Sequence, residues 1–174
     1  MTLTPLIDAP LQIQIHAAAA LLAVLLGPVA LYRRRRDRWH KIAGYVWIAA
    51  MLVVATTSWF ISSFAIIGPF SPIHGFAVLT YVSIWLGMRH VIAGRITAHR
   101  AVFRSLYWNG LLIAGLANFL PGRSMSRMVF GAGSGLGWWV IGAGAIALTA
   151  RMLWARRPTP RKQARPLAAG GGIG

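Results

Sequence analysis

The side chains best suited to chemistry in this chain are histidines, and their positions repeat. His16 precedes His40 by 24 residues, and His74 precedes His99 by 25. The surroundings repeat as well: Ile15-His16 matches Ile73-His74, and Trp39-His40-Lys41 matches Ala98-His99-Arg100. His90, next to Arg89, has no counterpart in this pattern. The 174 residues include no Cys, which excludes thiolate zinc sites, iron–sulfur clusters, disulfides and covalently attached c-type haem. Asp8 and Asp37 are the only acidic residues, so paired-carboxylate catalysis and carboxylate-rich calcium or di-iron sites are excluded too. What remains is chemistry on histidine, hydroxyl or amide groups, or on a bound cofactor.

The elements that must position these imidazoles are membrane helices. Hydrophobic residues make up 57% of the chain and charged ones 11%, a balance that a water-facing surface cannot accommodate. A helix needs about 20 apolar residues to cross a bilayer, and five runs meet that length. They cover about 11–32, 42–67, 73–92, 102–120 and 135–153. The expected fold is therefore all-α: one transmembrane domain over 1–154, followed by a basic tail over 155–174 whose composition predicts disorder. The first run has no Lys or Arg before it and is followed by five arginines within Arg33 to Arg38, so it reads as a spanning helix and not as a signal peptide.

Charge placement sets the orientation. The net charge is +16, carried by 18 basic residues that cluster between the apolar runs. Six fall from Arg33 to Lys41, four from Arg89 to Arg104 and six from Arg151 to Arg165, leaving Arg123 and Arg127 on the other side. By the positive-inside rule, the N-terminus lies outside and the C-terminus in the cytoplasm, with the protein in the cytoplasmic (inner) membrane. The basic loops then face anionic lipid at the cytoplasmic surface, which accounts for the charge without a nucleic-acid partner.

In this topology the first two spans and the next two form a parallel internal repeat, with the fifth helix outside it. His16 and His74 become mates near the outer surface, and His40 and His99 become mates near the inner one. If each pair faces a shared axis, it supplies the two axial ligands of a b-type haem. Arg100, with Arg95, Arg104 and the Arg33–Arg38 block, is placed to neutralise propionates at the inner layer; Arg123 and Arg127 are the candidates outside. The four-helix core, two ligand layers and arginine rims resemble the cytochrome b561 class of transmembrane electron carriers in architecture.

Other readings compete at the same residues. His with Met suits copper, and Met125 and Met128 follow the fourth run near the outer histidines. A histidine in a wet first helical turn can also snorkel or satisfy a loop carbonyl, and Asp37, Ser71-Pro72 and Thr97 are placed to cap spans two, three and four. Asn109 falls near the midplane, where an amide normally finds a partner on another helix, or a quinone or other ligand. Thr56, Thr57 and Ser58 can bond their own backbone carbonyls. Gly27-Pro28 should kink the first span by freeing the Val24 carbonyl. The glycine-rich stretch 131–137 reads as a flexible lead-in to the fifth span, whose Gly142 and Gly144 permit close helix approach.

A wider set of residues carries a family resemblance. His16-Ala17, Leu26-Gly27-Pro28, His40-Lys41 with Gly44, Ser71-Pro72-Ile73-His74, His99-Arg100 and Pro121-Gly122-Arg123 with Met125 together resemble the bacterial predicted-membrane-protein family catalogued as domain of unknown function 2306. The resemblance covers roughly residues 12–150 and implies a compact multipass protein. Three functions fit: a haem-binding or other redox-cofactor protein acting as a transmembrane electron carrier, a non-catalytic membrane assembly or transport module, or a copper-handling protein. If it is enzymatic at all, the chemistry points to an oxidoreductase component, with a membrane partner protein or a quinone as electron partner.

Overall fold

The computed structural model describes residues 4–33, 35–61, 71–120, 123–131 and 135–155, and these are helical with no strand among them. A short turn, α1 (Thr4–Ile7), precedes α2 (Leu11–Tyr32), α3 (Arg38–Ser58) and α4 (Pro72–Ile92). Then come α5 (Ile96–Ser105), a π-helical segment (Leu106–Leu111) and α6 (Leu112–Ala117), followed by α7 (Ser124–Phe130) and α8 (Gly137–Ala155). By length and composition, α2, α3 and α4 can each cross a membrane. The outward faces agree with lipid contact. Leu21, Leu25 and Val29 on α2, Val78, Val82 and Trp85 on α4, and Trp139 and Ile146 on α8 are all exposed, a continuous apolar surface untenable in water.

The core lies where α2, α3, α4 and the α5–π segment meet, around Ala23, Ala30, Trp47, Met51, Phe103 and Tyr107. Pro28 is its organiser. Having no N–H, Pro28 leaves the Val24 carbonyl without its helical donor, and the Tyr107 hydroxyl donates to that oxygen at 3.1 Å. One residue earlier, the Ala23 carbonyl accepts the Trp47 Nε1–H at 3.0 Å. Gly27 makes the approach possible: a Cβ there would stand 2.1 Å from the Tyr107 ring. The kink read from Gly27-Pro28 is thus a docking point for two other helices.

Helix ends follow local chemistry. Asp37 caps α3 by accepting the His40 N–H at 3.0 Å, and Ser71 precedes α4 with Pro72 in its first turn. The expected cap at Thr97 is corrected: Gly94, at φ 73°, closes the turn after α4, Arg95 is the last residue before α5, and Thr97 lies inside the helix. Span two starts earlier than 42, because Asp37 caps it, and its helix ends at Ser58. Residues 62–67 of that expected span fall outside the described residues, as do 121–122, 132–134 and the tail from 156.

Asn109 is a second correction. Its amide donates to Ser105 Oγ one turn back on the same chain segment, at 3.1 Å, and among the described residues it bonds no other helix. The π segment re-aims its neighbours, burying Leu106, Tyr107 and Leu111 while leaving Asn109 exposed. On α8, Gly144 sits against Leu116, where a Cβ would come within 2.4 Å, whereas Gly142 meets open space.

Candidate functional site

Three cavities form among the described residues, one at one end of α2–α5 and two adjoining ones at the other, and they divide the predicted residues between them. The first, about 170 Å³, is lined by His40 and His99 together with Arg33, Arg35, Arg36, Lys41 and Arg100. Its apolar wall comes from Trp47, Ile48, Met88 and Phe103, and Gly44 leaves one side open, since a Cβ there would meet nothing within 4 Å. Both imidazoles lie on the wall of this one cavity. Asp37 sets the edge of this region. Hydrogen bonds from the Arg33 guanidinium and the His40 N–H hold its carboxyl well below the usual carboxylate range, and Arg33 is raised in turn.

A hydrogen bond fixes which nitrogen of the His99 ring carries the proton. His99 Nδ1 lies 2.9 Å from the Gly87 carbonyl, which can only accept, so Nδ1 is the N–H and Nε2 keeps its lone pair. The His99 ring stands edge-on to Phe103, with centroids 4.9 Å apart. Phe103 in turn fills the space beside Gly87, where a Cβ would approach within 2.6 Å. For His40, Nδ1 is buried with no hydrogen-bond partner among the described residues. Leaving such an atom unsatisfied costs about 1–3 kcal/mol, an expense that a bound group would offset.

The outer residues are arranged differently. His16, Asn118 and Arg123 line both of two adjoining cavities of about 390 and 530 Å³, whose other shared walls are small or aliphatic: Ala20, Val24, Leu111 and Gly115. Met125 and Met128 line the larger one. His16 Nδ1 is 2.9 Å from Thr57 Oγ1 on α3. His74 is buried behind this region. Its Nδ1 accepts the Ser71 N–H at 3.0 Å, the back-reaching arm of a capping box, and its ring packs on Trp59 at 5.2 Å. With Nδ1 so used, Nε2 carries the proton. The structure thus gathers His40, His99 and Arg100 at one cavity and His16 and Arg123 at another, and gives His74 a capping bond.

Sequence reading singled out Gly44 only as part of a family resemblance and missed Gly87 and Tyr107, whose roles depend on contacts between distant segments.

The fold and these cavities define a class: a helical membrane protein with histidines on internal cavity walls. Within that class, the chain belongs to the family described as predicted membrane protein (DUF2306), which matches residues 13–120. No curated protein and no solved structure matches the chain.

Proposed function

We propose that this protein carries a redox cofactor, a b-type haem held between His40 and His99. The observation supporting this reading is the complementary state of the two rings on one cavity wall, His99 with an Nε2 lone pair and His40 with a buried, partnerless Nδ1. The donor set suits the group: two neutral imidazoles need no Cys or carboxylate. The Gly87 carbonyl would hold His99 in its ligating tautomer and raise its basicity. Arg33, Arg35, Arg36 and Arg100 would pair with propionates, while Trp47, Met88 and Phe103 would face the apolar ring. When bound, the haem supplies reversible one-electron transfer; the chain's part is to hold it, orient it and exclude water.

In this reading the chain crosses the cytoplasmic membrane five times, with its N-terminus outside. The pieces from Ile96 to Ala117 together reach about 30 Å, enough for a fourth span, and α8 provides a fifth. The parallel repeat then puts His40 and His99 at corresponding helix starts on the basic, cytoplasmic side. The proposal is confined to this layer because His74 Nδ1 is occupied by Ser71.

Protein purified from cells supplied with a haem precursor should show a Soret band that is lost in His40→Ala and His99→Ala and kept in His74→Ala. A folded, monodisperse but colourless wild type contradicts the reading. Elemental analysis of the same sample reports on copper, for which Met125, Met128 and His16 share the outer cavity.

A further inference from the structure

The outer cavity has no part in the proposed haem site, and its hydrogen-bonding chemistry is of another kind. The Thr57 hydroxyl has one proton and donates it within its own helix, 2.7 Å to the Val53 carbonyl and 3.1 Å to that of Val54. Its oxygen is left to accept, so His16 Nδ1 is the donor across the 2.9 Å bond and His16 Nε2 is an acceptor. Ser58 and Thr80, which also lie in this region, likewise turn their hydroxyls back to the carbonyls of Val54 and Phe76. Of the lining groups, His16 therefore presents an acceptor and Asn118 a donor, and Ser71 and Arg123 also lie in the walls. The remaining surface is mostly apolar, with Phe76, Trp108 and Phe119 among small and aliphatic residues.

A complementary ligand must donate an O–H to His16, accept at an oxygen from Asn118, and bring an apolar body to the remaining space. A carboxylate fails the first condition because it would set lone pair against lone pair at His16. At about 530 Å³, the larger cavity is within the usual size of a small-molecule site, roughly 300–1,000 Å³. We infer that the outer cavity binds a neutral, lipid-soluble molecule with a hydroxyl head group. Two membrane sources share that chemistry: glycerol-type alcohols and phenolic quinols.

The test uses the full chain in phosphatidylcholine nanodiscs, with decylhydroquinone and 1,2-dioctanoylglycerol as probes, each compared with its O-methyl ether. Competition against a diazirine-bearing decylphenol, with adducts located by mass spectrometry, reads relative affinity. At least one parent should compete about five- to tenfold better than its ether, the worth of one hydrogen bond, and label should fall on Leu111 and its cavity neighbours. That parent identifies the source. His16→Leu should bring the parent-to-ether ratio close to one, and Gly115→Leu, whose side chain enters open space, should abolish competed labelling while the protein stays monodisperse. Equal competition by parent and ether for both probes overturns the inference, as does undiminished labelling in Gly115→Leu. Neither readout involves haem, so this inference and the inner-site proposal fail independently.

Discussion

The His16–Thr57 and His99–Gly87 bonds decide more than the presence of imidazoles does, because each leaves a specific ring nitrogen with a lone pair. Sequence spacing located these histidines, but their tautomers depend on partners 41 and 12 residues away. The same limit applies to Tyr107. Pro28 shows that a carbonyl is freed, yet the hydroxyl that satisfies it lies 83 residues on. Tyr107→Phe should leave the buried Val24 oxygen without that donor and lower stability by about 1–3 kcal/mol, measurable as an earlier unfolding transition in detergent. Asp37 carries a pH dependence. Its carboxyl is depressed in the folded state, so its stabilising contribution is present above the ordinary carboxylate value of about 4 and is lost as pH falls toward the folded value. The melting-temperature gap between wild type and Asp37→Asn, a variant that can still cap, should accordingly shrink from pH 7 to pH 3; a constant gap would remove the Arg33–Asp37 pair as its cause.

Helices were the most legible part of the chain. The apolar runs, Pro72 at a first turn and Asp37 as a cap all marked elements that form. What hydropathy could not mark was the interruption at Leu106–Leu111, because a π segment changes the direction of side chains without changing their polarity. That is why Asn109 was expected to reach a neighbouring helix and instead bonds Ser105. Glycines make a related distinction that sequence alone does not. Gly44 and Gly87 both belong to the inner site's helices, but one borders open space and the other a ring at 2.6 Å. Gly87→Ala should displace Phe103 from His99 and lower both stability and cofactor retention, whereas Gly44→Ala should change stability little. Thermal unfolding of the two variants side by side checks this, and equal destabilisation would contradict it.

For the whole molecule, the exposed apolar faces fit a bilayer, and the proposed topology puts the basic loops on the cytoplasmic side. The chain contains no Cys, so single-cysteine labelling needs no prior engineering. Arg127→Cys should react with a membrane-impermeant maleimide in intact spheroplasts, and Arg36→Cys should react only after lysis; the reverse result would invert the topology and put the basic cavity outside. The arrangement as a whole joins a cationic two-imidazole cavity at one end to a larger apolar cavity at the other, with the Pro28 junction between them. The measurement that addresses this account most directly is a haemin titration of purified protein, followed in the visible spectrum. It should saturate at one equivalent per chain with a low-spin, bis-imidazole spectrum in wild type, His16→Ala and His74→Ala, and show no saturable binding in His40→Ala, His99→Ala or Gly44→Leu. Unchanged saturation in the His40→Ala/His99→Ala double variant, or no saturation in wild type, would contradict the inner pair as ligands.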